Sequence, residues 1–472
     1  MKTIKKLIFS FLSFVLVFSS CFFLTGCGDR SATLRLYIAG EYITDEVLDG
    51  FEEWYLERTG KQINVVKKEF DTNETMYTMI AQKRQDFDVI CPSDYMVERL
   101  KNEGLLLKVN EEVQDVIWSN VLGEFDEESG AYPNQDFVNL IINSFDPNLE
   151  YTAPYMWGTM GIMYYYHGDL ENEEEVANAD KAKSHFKCLF EETQRKIYMK
   201  DSERDTYTVA LFNCYYNELK TASLDFTNFE TPEYKALLKS IFEKGDNFNE
   251  KLALAEIALK NQKPIVDDYE TDEGKDNLVR DNGEHDYYGM FWSCDAGYIM
   301  AEWITDEEVE FRQNFRYIVP EEGSNVWVDS FCIPKYAGNV PAANLFLEYM
   351  STYDTENEIT PAIDCMDYAG CTSAIYQASY DYYDYVLEYF DLYDSLVEEK
   401  YAGDENKIEA EKLKDSFKSM YLSLIFPHLD IDFDGDEVYE FTSPLKKCGI
   451  MRDLGPEASD DLLYMWSVLR RY

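Results

Sequence analysis

The first hundred residues alternate between short apolar runs and apolar positions at helical spacing. The mainly apolar segment 34–38 predicts a strand. Apolar residues then recur at helical spacing over 47–55, and Gly60 follows as a typical helix stop. The pattern also predicts strands at 63–66 and 87–91, a helix that starts at 74 with Asn73 as its cap, and a helix at about 96–101. Strands and helices in this alternation favour an α/β layer with a parallel sheet.

Two turns of this layer carry polar and aromatic side chains. They are 39–42, after the first predicted strand, and 92–95, after the third. In open parallel sheets, ligands bind just beyond the carboxyl ends of the strands. We therefore expect a binding edge at these two turns.

The middle of the chain changes character at residue 151. The apolar run 151–165 predicts one long extended segment that crosses between two lobes. A short strand at 197–199 leads into the acidic segment 201–205, and a helix is expected to start at Thr206. Acids at a helix N-terminus are also stabilised by the helix dipole, so Asp205 has a purely structural explanation too. Further predictions are strand, turn and helix over 289–298, a half-buried strand over 325–334, and mostly helix over the acidic region 380–472.

The N-terminus has the composition of an export signal. Three lysines, at positions 2, 5 and 6, precede an almost wholly apolar segment, 7–24. This segment reaches the length of a membrane span, so an uncleaved anchor is the alternative. The sequence Leu24-Thr25-Gly26-Cys27 resembles a bacterial lipoprotein signal, which implies removal of 1–26 and a lipid on Cys27.

Composition then narrows the function classes. The chain has 472 residues, with 43 Lys and Arg against 91 Asp and Glu, a net charge of −48. This argues against nucleic acid and against docking on anionic lipid, because both need clustered basic residues. At 46% hydrophobic and 15% aromatic residues the chain can bury a large core. Carboxylates together with aromatic faces suit an organic cation as ligand.

The order of several segments resembles the spermidine/putrescine-binding proteins of bacterial polyamine ABC importers. The matching segments are 40–42, 73–77, 86–95, 153–158, 201–205, 327–330 and 452–455. The resemblance implies an α/β fold of the two-lobed, type II periplasmic-binding-protein-like class, with the ligand in the cleft, hinge closure around it, and an added acidic helical C-terminal region. The expected domains are 33–151 with about 329–385 as lobe 1, and 152–328 with about 386–472 as lobe 2.

The resemblance also implies a set of ligand-binding residues. Asp205 and Asp329 would each pair with an amine, Trp327 and Trp292 would wall the methylene chain, and Tyr42, Ser93 and Tyr95 would contribute from the first lobe. Asp94 is added because it lies in the same turn. The chain departs from the family pattern at Ala39, Gly40, Ser202 and Cys371, which predicts the loss of an aromatic wall and of an amine contact. Either the ligand is a different amine, or other residues compensate.

Other site chemistries are less well supported. The segment 430–436 mimics the start of an EF-hand loop through Asp430, Asp432, Asp434 and Asp436, but position 441 is Phe and not the bidentate acid. An acidic surface turn is the simpler interpretation, and no cofactor is expected. The eight cysteines after Cys27 form no CxxC pair, which favours buried thiols, although export permits disulfides.

The sequence thus predicts a binding protein and not an enzyme. We expect a monomer, lipid-anchored on the outer face of the cytoplasmic membrane, that captures a polyamine and delivers it to an ABC permease. The alternatives are the same fold with another cation, an amino acid or a sugar, a secreted carboxylate-based hydrolase, and a surface adhesin whose cleft no longer binds a ligand. No Gly-x-Ser-x-Gly or His-Glu-x-x-His motif favours the hydrolase.

Overall fold

A computed structural model describes eleven parts of the chain. They are 30–83, 85–127, 130–165, 173–191, 196–270, 287–303, 315–387, 422, 430–431, 437–438 and 446–471. The predicted signal 1–26, Cys27 and most of the acidic segment 380–447 lie outside these residues. In the described ranges, no helix has both the length and the apolar character needed to cross a membrane.

Most of the strands join one large mixed sheet. The strands are β1 (Thr33–Ala39), β2 (Asn64–Phe70), β3 (Val89–Ile90), β4 (Leu106–Leu107), β5 (Thr152–Tyr165), β6 (Lys196–Lys200), β7 (Val266–Glu270), β8 (Tyr287–Trp292), β9 (Phe315–Ile318), β10 (Ser324–Pro334), β11 (Thr372–Ser373), β12 (Asp430–Ile431), β13 (Glu437–Val438) and β14 (Cys448–Ile450). The main path through the sheet is β2-β1-β3-β10-β5-β8-β6-β7, and only β12 and β13 pair separately. The predicted crossing segment is therefore β5, at the centre of the sheet.

Thirteen helices of seven or more residues are described besides the helical residues 376–387. They are α1 (Asp45–Thr59), α2 (Asn73–Ala81), α3 (Asp94–Asn102), α4 (Glu111–Leu122), α5 (Glu173–Lys183), α6 (Glu203–Cys214), α7 (Tyr216–Ala222), α8 (Pro232–Phe242), α9 (Phe248–Gln262), α10 (Ser293–Trp303), α11 (Val340–Ser351), α12 (Pro361–Ala369) and α13 (Pro456–Arg471). Gly60 ends α1 in the left-handed conformation at φ 69°, as predicted.

Two helix starts differ from the sequence prediction. The cap of α2 is Thr72, whose side chain accepts from the backbone N–H of Thr75, and not Asn73. The helix α6 starts at Glu203 and not at Thr206, because the Ser202 side chain accepts from the backbone N–H of Asp205. Both corrections have one cause: a hydroxyl in the preceding extended residue satisfies the first free backbone donors.

Two hydrophobic cores lie against the sheet. The first takes side chains mainly from β1, β3, β10, helices α1 to α4, α11 and α12, and β5, including Met163 and Tyr165 of its second half. The second takes side chains mainly from the second half of β5, β6, β8 and helices α6, α8, α9 and α13. Because β5 contributes to both cores, the lobe boundaries given above stay a prediction.

Other expectations have mixed outcomes. The strand β10 is buried at every position except Asp329, so its prediction as half-buried is wrong. All eight cysteines after Cys27 are free thiols, and five of them are buried, as favoured above. Of the calcium candidates, Asp432, Asp434 and Asp436 lie outside the described residues. Within those residues, no group of three His, Cys, Asp or Glu side chains is arranged to hold a metal.

Candidate functional site

Two groups of parallel strands lie on either side of β5 in the sheet. On one side β3, β1 and β2 are parallel, and Ser93 just beyond β3 forms a bridge with Asp329 of β10, whose register partner on β5 is Met156. On the other side β6, β7 and β8 are parallel, and Trp292 at the end of β8 lies opposite Met160 of β5. The carboxyl ends of both groups therefore meet near the middle of β5, where a ligand site is expected.

A cavity lies where these strand ends meet. It encloses about 1120 Å³, including the part open to solvent. All eight residues proposed from the sequence line it, from both groups of strands: Tyr42, Ser93, Asp94, Tyr95, Asp205, Trp292, Trp327 and Asp329. Ala39, Gly40 and Ser202, three of the departures from the family pattern, line it as well.

Asp329 is the partly exposed carboxylate at the first side of the cavity. Its Oδ2 accepts from the Tyr42 hydroxyl at 2.8 Å, and its Oδ1 accepts from the Ser93 hydroxyl at 2.6 Å. Asn73 holds Ser93 in turn, because its Nδ2 donates to the Ser93 hydroxyl at 2.9 Å. Burial raises the pKa of Asp329 to about 6, although the two hydroxyl donors oppose the rise. The carboxylate is thus fixed in place but costly to ionise without a cation.

Asp94 and Tyr95 have different surroundings from Asp329. Both Asp94 oxygens accept from backbone amides, those of Tyr95 at 2.6 Å and Val328 at 3.0 Å, and the side chain is 1% exposed. These two hydrogen bonds fasten α3 to β10 and give Asp94 a structural role. A direct contact between Asp94 and a ligand remains a prediction. The Tyr95 hydroxyl donates to Glu74 at 3.0 Å, which adds a carboxylate from α2 to the same wall.

Asp205 lies on the second side of the cavity, in the first turn of α6. Burial raises its pKa to about 6, and the nearby carboxylate of Glu74 contributes to the rise. Glu203, in the same turn, has a pKa raised to about 8 by burial and by Glu74. Lys200 and Arg204 oppose the rise for Asp205 only in part, so a further cation near these acids would relieve both desolvation and mutual repulsion.

Two indole rings supply flat walls. Trp327 is 8% exposed and packs against Gly158, where an added Cβ would lie 2.6 Å from Cζ2 of the ring. Glycine at this position of β5 therefore makes room for the tryptophan. Trp292 is partly exposed, and its backbone N–H donates to Asp295 at 3.1 Å.

Sequence reasoning missed a buried ionic cluster beside Trp292. Nζ of Lys200 lies 2.7 Å from Asp295 and 3.1 Å from Glu270, and all three residues line the cavity. Lys200 directly follows the predicted strand 197–199, so the rule about strand ends could have found it. Glu270 had no such signal, because the strand that ends there was not predicted.

The charge of the lining is strongly negative. Nine carboxylates contribute: Glu41, Asp71, Glu74, Asp94, Asp201, Asp205, Glu270, Asp295 and Asp329. Among the described lining residues the single basic side chain is Lys200. Such a cavity, with indole faces between its acids, favours an organic cation over an anion.

Comparisons with known proteins point in one direction. The family model of bacterial extracellular solute-binding proteins matches residues 49–364. Spermidine/putrescine-binding periplasmic protein 1 of Haemophilus influenzae is 24% identical over 355 residues, 72% of this chain and 80% of the relative. The substrate-binding protein of the Streptococcus pneumoniae spermidine/putrescine ABC transporter has a TM-score of 0.54 at 23% identity, covering 94% of this chain and 99% of that one. A Treponema pallidum lipoprotein has a TM-score of 0.56 at 18% identity, covering 93% of this chain and 100% of that one.

Proposed function

This chain belongs to the bacterial extracellular solute-binding proteins, and on that premise we propose that it captures a polyamine and delivers it to an ABC importer. The structural likenesses confirm the periplasmic-binding-protein-like fold expected from the sequence. In this fold a ligand binds between two lobes, which close around it. The protein binds and releases its ligand without chemical change.

The observation that carries the proposal is the lining of the cavity. A polyamine is a flexible methylene chain with ammonium groups at intervals, and each desolvated ammonium requires an opposite charge. Asp329 offers one from the first side of the cavity, and Asp205 offers another from the second. Trp327 and Trp292 provide faces for the methylene chain and attract the cations as well. A neutral sugar has no charge to pair with these carboxylates, and the carboxylate of an amino acid would be repelled by them.

The relatives support the same ligand class. The Haemophilus influenzae relative is named for spermidine and putrescine, and so is the Streptococcus pneumoniae transporter. We propose that the present chain binds this class as a monomer. We further propose export, cleavage before Cys27 and lipid anchoring on the outer face of the cytoplasmic membrane. The Leu24–Cys27 motif and the Treponema pallidum lipoprotein of the same fold support the anchor.

Calorimetry on the mature protein tests the ligand class. We expect heat of binding for at least one of putrescine, spermidine and spermine, and none for a neutral sugar. Asp329→Asn should cost the affinity about 1–3 kcal/mol, the scale for loss of a charge-assisted partner. Asp115→Asn is the matched control, since Asp115 is an exposed acid on α4. No binding of any polyamine, together with binding of a sugar or an amino acid, would refute the proposal.

A further inference from the structure

We propose that Lys200 is a specificity-determining residue that decides which polyamine is bound. Its ammonium group occupies one cation position of the cleft, so the cleft binds a diamine in preference to a triamine. The inference rests on the proposed function, since it concerns which polyamine fits the same cavity. It adds a role for the ionic cluster beside Trp292.

The position of Lys200 follows from the sheet. Lys200 is the last residue of β6, and its register partner Glu270 is the last residue of β7. Trp292 is the last residue of the neighbouring parallel strand β8, and Asp295 follows in the first turn of α10. Three adjacent strand ends therefore deliver a lysine, two acids and an indole to one place, at the edge where ligands of such sheets bind.

The geometry around the lysine Nζ is that of a bound ammonium ligand. The Nζ atom lies 2.7 Å from Oδ2 of Asp295, 3.1 Å from Oε1 of Glu270 and 4.4 Å from the centroid of the Trp292 ring. The Lys200 side chain is 1% exposed, and those of Glu270 and Asp295 are 4% and 3% exposed. Two carboxylates and an indole face are the partners that a desolvated amine of a ligand would seek.

A ligand amine cannot easily displace this lysine. The Lys200 ammonium is tethered to β6, so it competes for its two acids at the high effective concentration of an intramolecular group. A free amine would also have to leave water, whereas the lysine is already desolvated. The acids of this cluster are therefore not available to the ligand, and one face of Trp292 is covered.

Of the lining carboxylates outside this cluster, two on opposite sides of the cavity are the positions proposed for the ligand amines. One is Asp329 with its two hydroxyl donors, and the other is Asp205 near Glu74. Two positions match the two ammonium groups of a diamine. The third ammonium of spermidine would meet a cation at the end where Lys200 lies, and like charges in a cleft of low dielectric repel strongly.

The test compares putrescine and spermidine by calorimetry, first on the unaltered mature protein. We expect putrescine to bind at least about tenfold more tightly than spermidine. In Lys200→Ala, the freed pair of acids becomes a third cation position, and the preference should shift toward spermidine by at least about tenfold. In Lys200→Ala/Glu270→Gln/Asp295→Asn the space is open but uncharged, and the shift should disappear.

The outcomes separate the two proposals. If the unaltered protein binds spermidine as tightly as putrescine, the inference is overturned and the proposed function stands. An unchanged preference in a folded Lys200→Ala variant overturns it as well. If Lys200→Ala does not fold, the measurement on the unaltered protein still decides. If no polyamine binds the unaltered protein, the proposed function and the inference fail together.

Discussion

Ser93 and Asp329 face each other across a single antiparallel bridge, and the Ser93 hydroxyl donates a 2.6 Å hydrogen bond to Oδ1 of Asp329. With the Tyr42 hydroxyl on Oδ2, both oxygens of the carboxylate are oriented by donors of the protein itself. Less motion is then lost on binding, which favours affinity. The two hydroxyls also lower the pKa of Asp329 against the effect of burial.

Tyr42→Phe should weaken polyamine binding at neutral pH by about threefold to tenfold, the scale of one hydrogen bond. The removed donor stabilises the ionised form of Asp329, so the pKa of that carboxyl should rise further. Calorimetry over a pH series measures both effects, and Ser93→Ala should act in the same direction. Tyr464→Phe, at an exposed tyrosine of α13, is the control and should change neither. Equal affinities for Tyr42→Phe and the control would show that the Tyr42 hydroxyl does not contribute to ligand binding.

Polyamine affinity of the unaltered protein should fall as the pH drops through about 6. Burial raises the pKa of Asp329 and of Asp205 to about 6, so both carboxyls gain protons in the empty cavity below that pH. An amine binds the ionised carboxylate, so its binding must release the proton of each protonated carboxyl. The affinity should therefore fall by up to about tenfold per pH unit for each carboxyl. The amines themselves stay charged in this range, as a lysine does.

Proton release gives this pH dependence a second readout. Near pH 6, binding should release protons, so the measured heat should depend on the ionisation enthalpy of the buffer. At about pH 8 Asp329 and Asp205 are already ionised, so their part of the buffer dependence should vanish and only that of Glu203, whose pKa is about 8, should be left. Constant affinity between about pH 5 and about pH 8 would show that neither carboxyl pairs with the ligand.

The sequence was sufficient for the parts of the site that follow predicted strands. The turns at 39–42 and 92–95 and the long strand β5 lie where the alternation of apolar segments puts them. Asp205, Trp292, Trp327 and Asp329 were found by resemblance, and the structure brings them to one cavity. Their contact with a ligand is still a proposal.

The missed features depend on contacts between distant segments. Glu270 and Lys200 meet because β6 and β7 pair in register, across 70 residues of chain that local periodicity cannot relate. The burial of β10 was missed for a related reason. Its polar residues suggested a solvent face, but helices α3 and α11 pack against the strand, and the Asp94 carboxylate accepts the Val328 N–H. Only Asp329 keeps partial exposure, because it faces the cavity.

Gly158→Ala should disturb the Trp327 wall. The added methyl would lie 2.4 Å from Oγ of Ser293 and 2.6 Å from Cζ2 of the indole, so both side chains must shift. Overpacking of this kind costs about 1–3 kcal/mol, and we expect polyamine affinity to fall by about tenfold. Calorimetry gives the affinity, and tryptophan fluorescence reports the displaced ring. Trp327→Phe is the comparison, since it removes wall area without overpacking. Unchanged affinity in Gly158→Ala would mean that the ring position does not matter to the ligand.

Glu98 of α3 joins the two hydrophobic cores outside the cavity. Its carboxylate accepts from the Arg452 guanidinium at 2.5 Å and 3.0 Å, and from the backbone N–H of Asp453 at 2.8 Å. Neighbours of Glu98 on α3, such as Val97, belong to the first core, whereas Met451 belongs to the second. A contact between lobes that forms on closure holds the ligand in, so its loss should act mainly on dissociation.

Glu98→Gln should therefore speed polyamine dissociation by about fivefold, the scale of one partly exposed ion pair, and leave association nearly unchanged. Stopped-flow measurement of both rates tests this. Glu103→Gln is the matched control, because Glu103, just beyond the end of α3, pairs with Arg99 of α3 at 3.2 Å and accepts from the Tyr77 hydroxyl of α2 at 2.8 Å. The effect should also shrink at high salt, since the Arg452 side chain is 31% exposed. If both variants release the ligand equally fast, the Glu98–Arg452 pair belongs to the resting structure of α3 and has no part in closure.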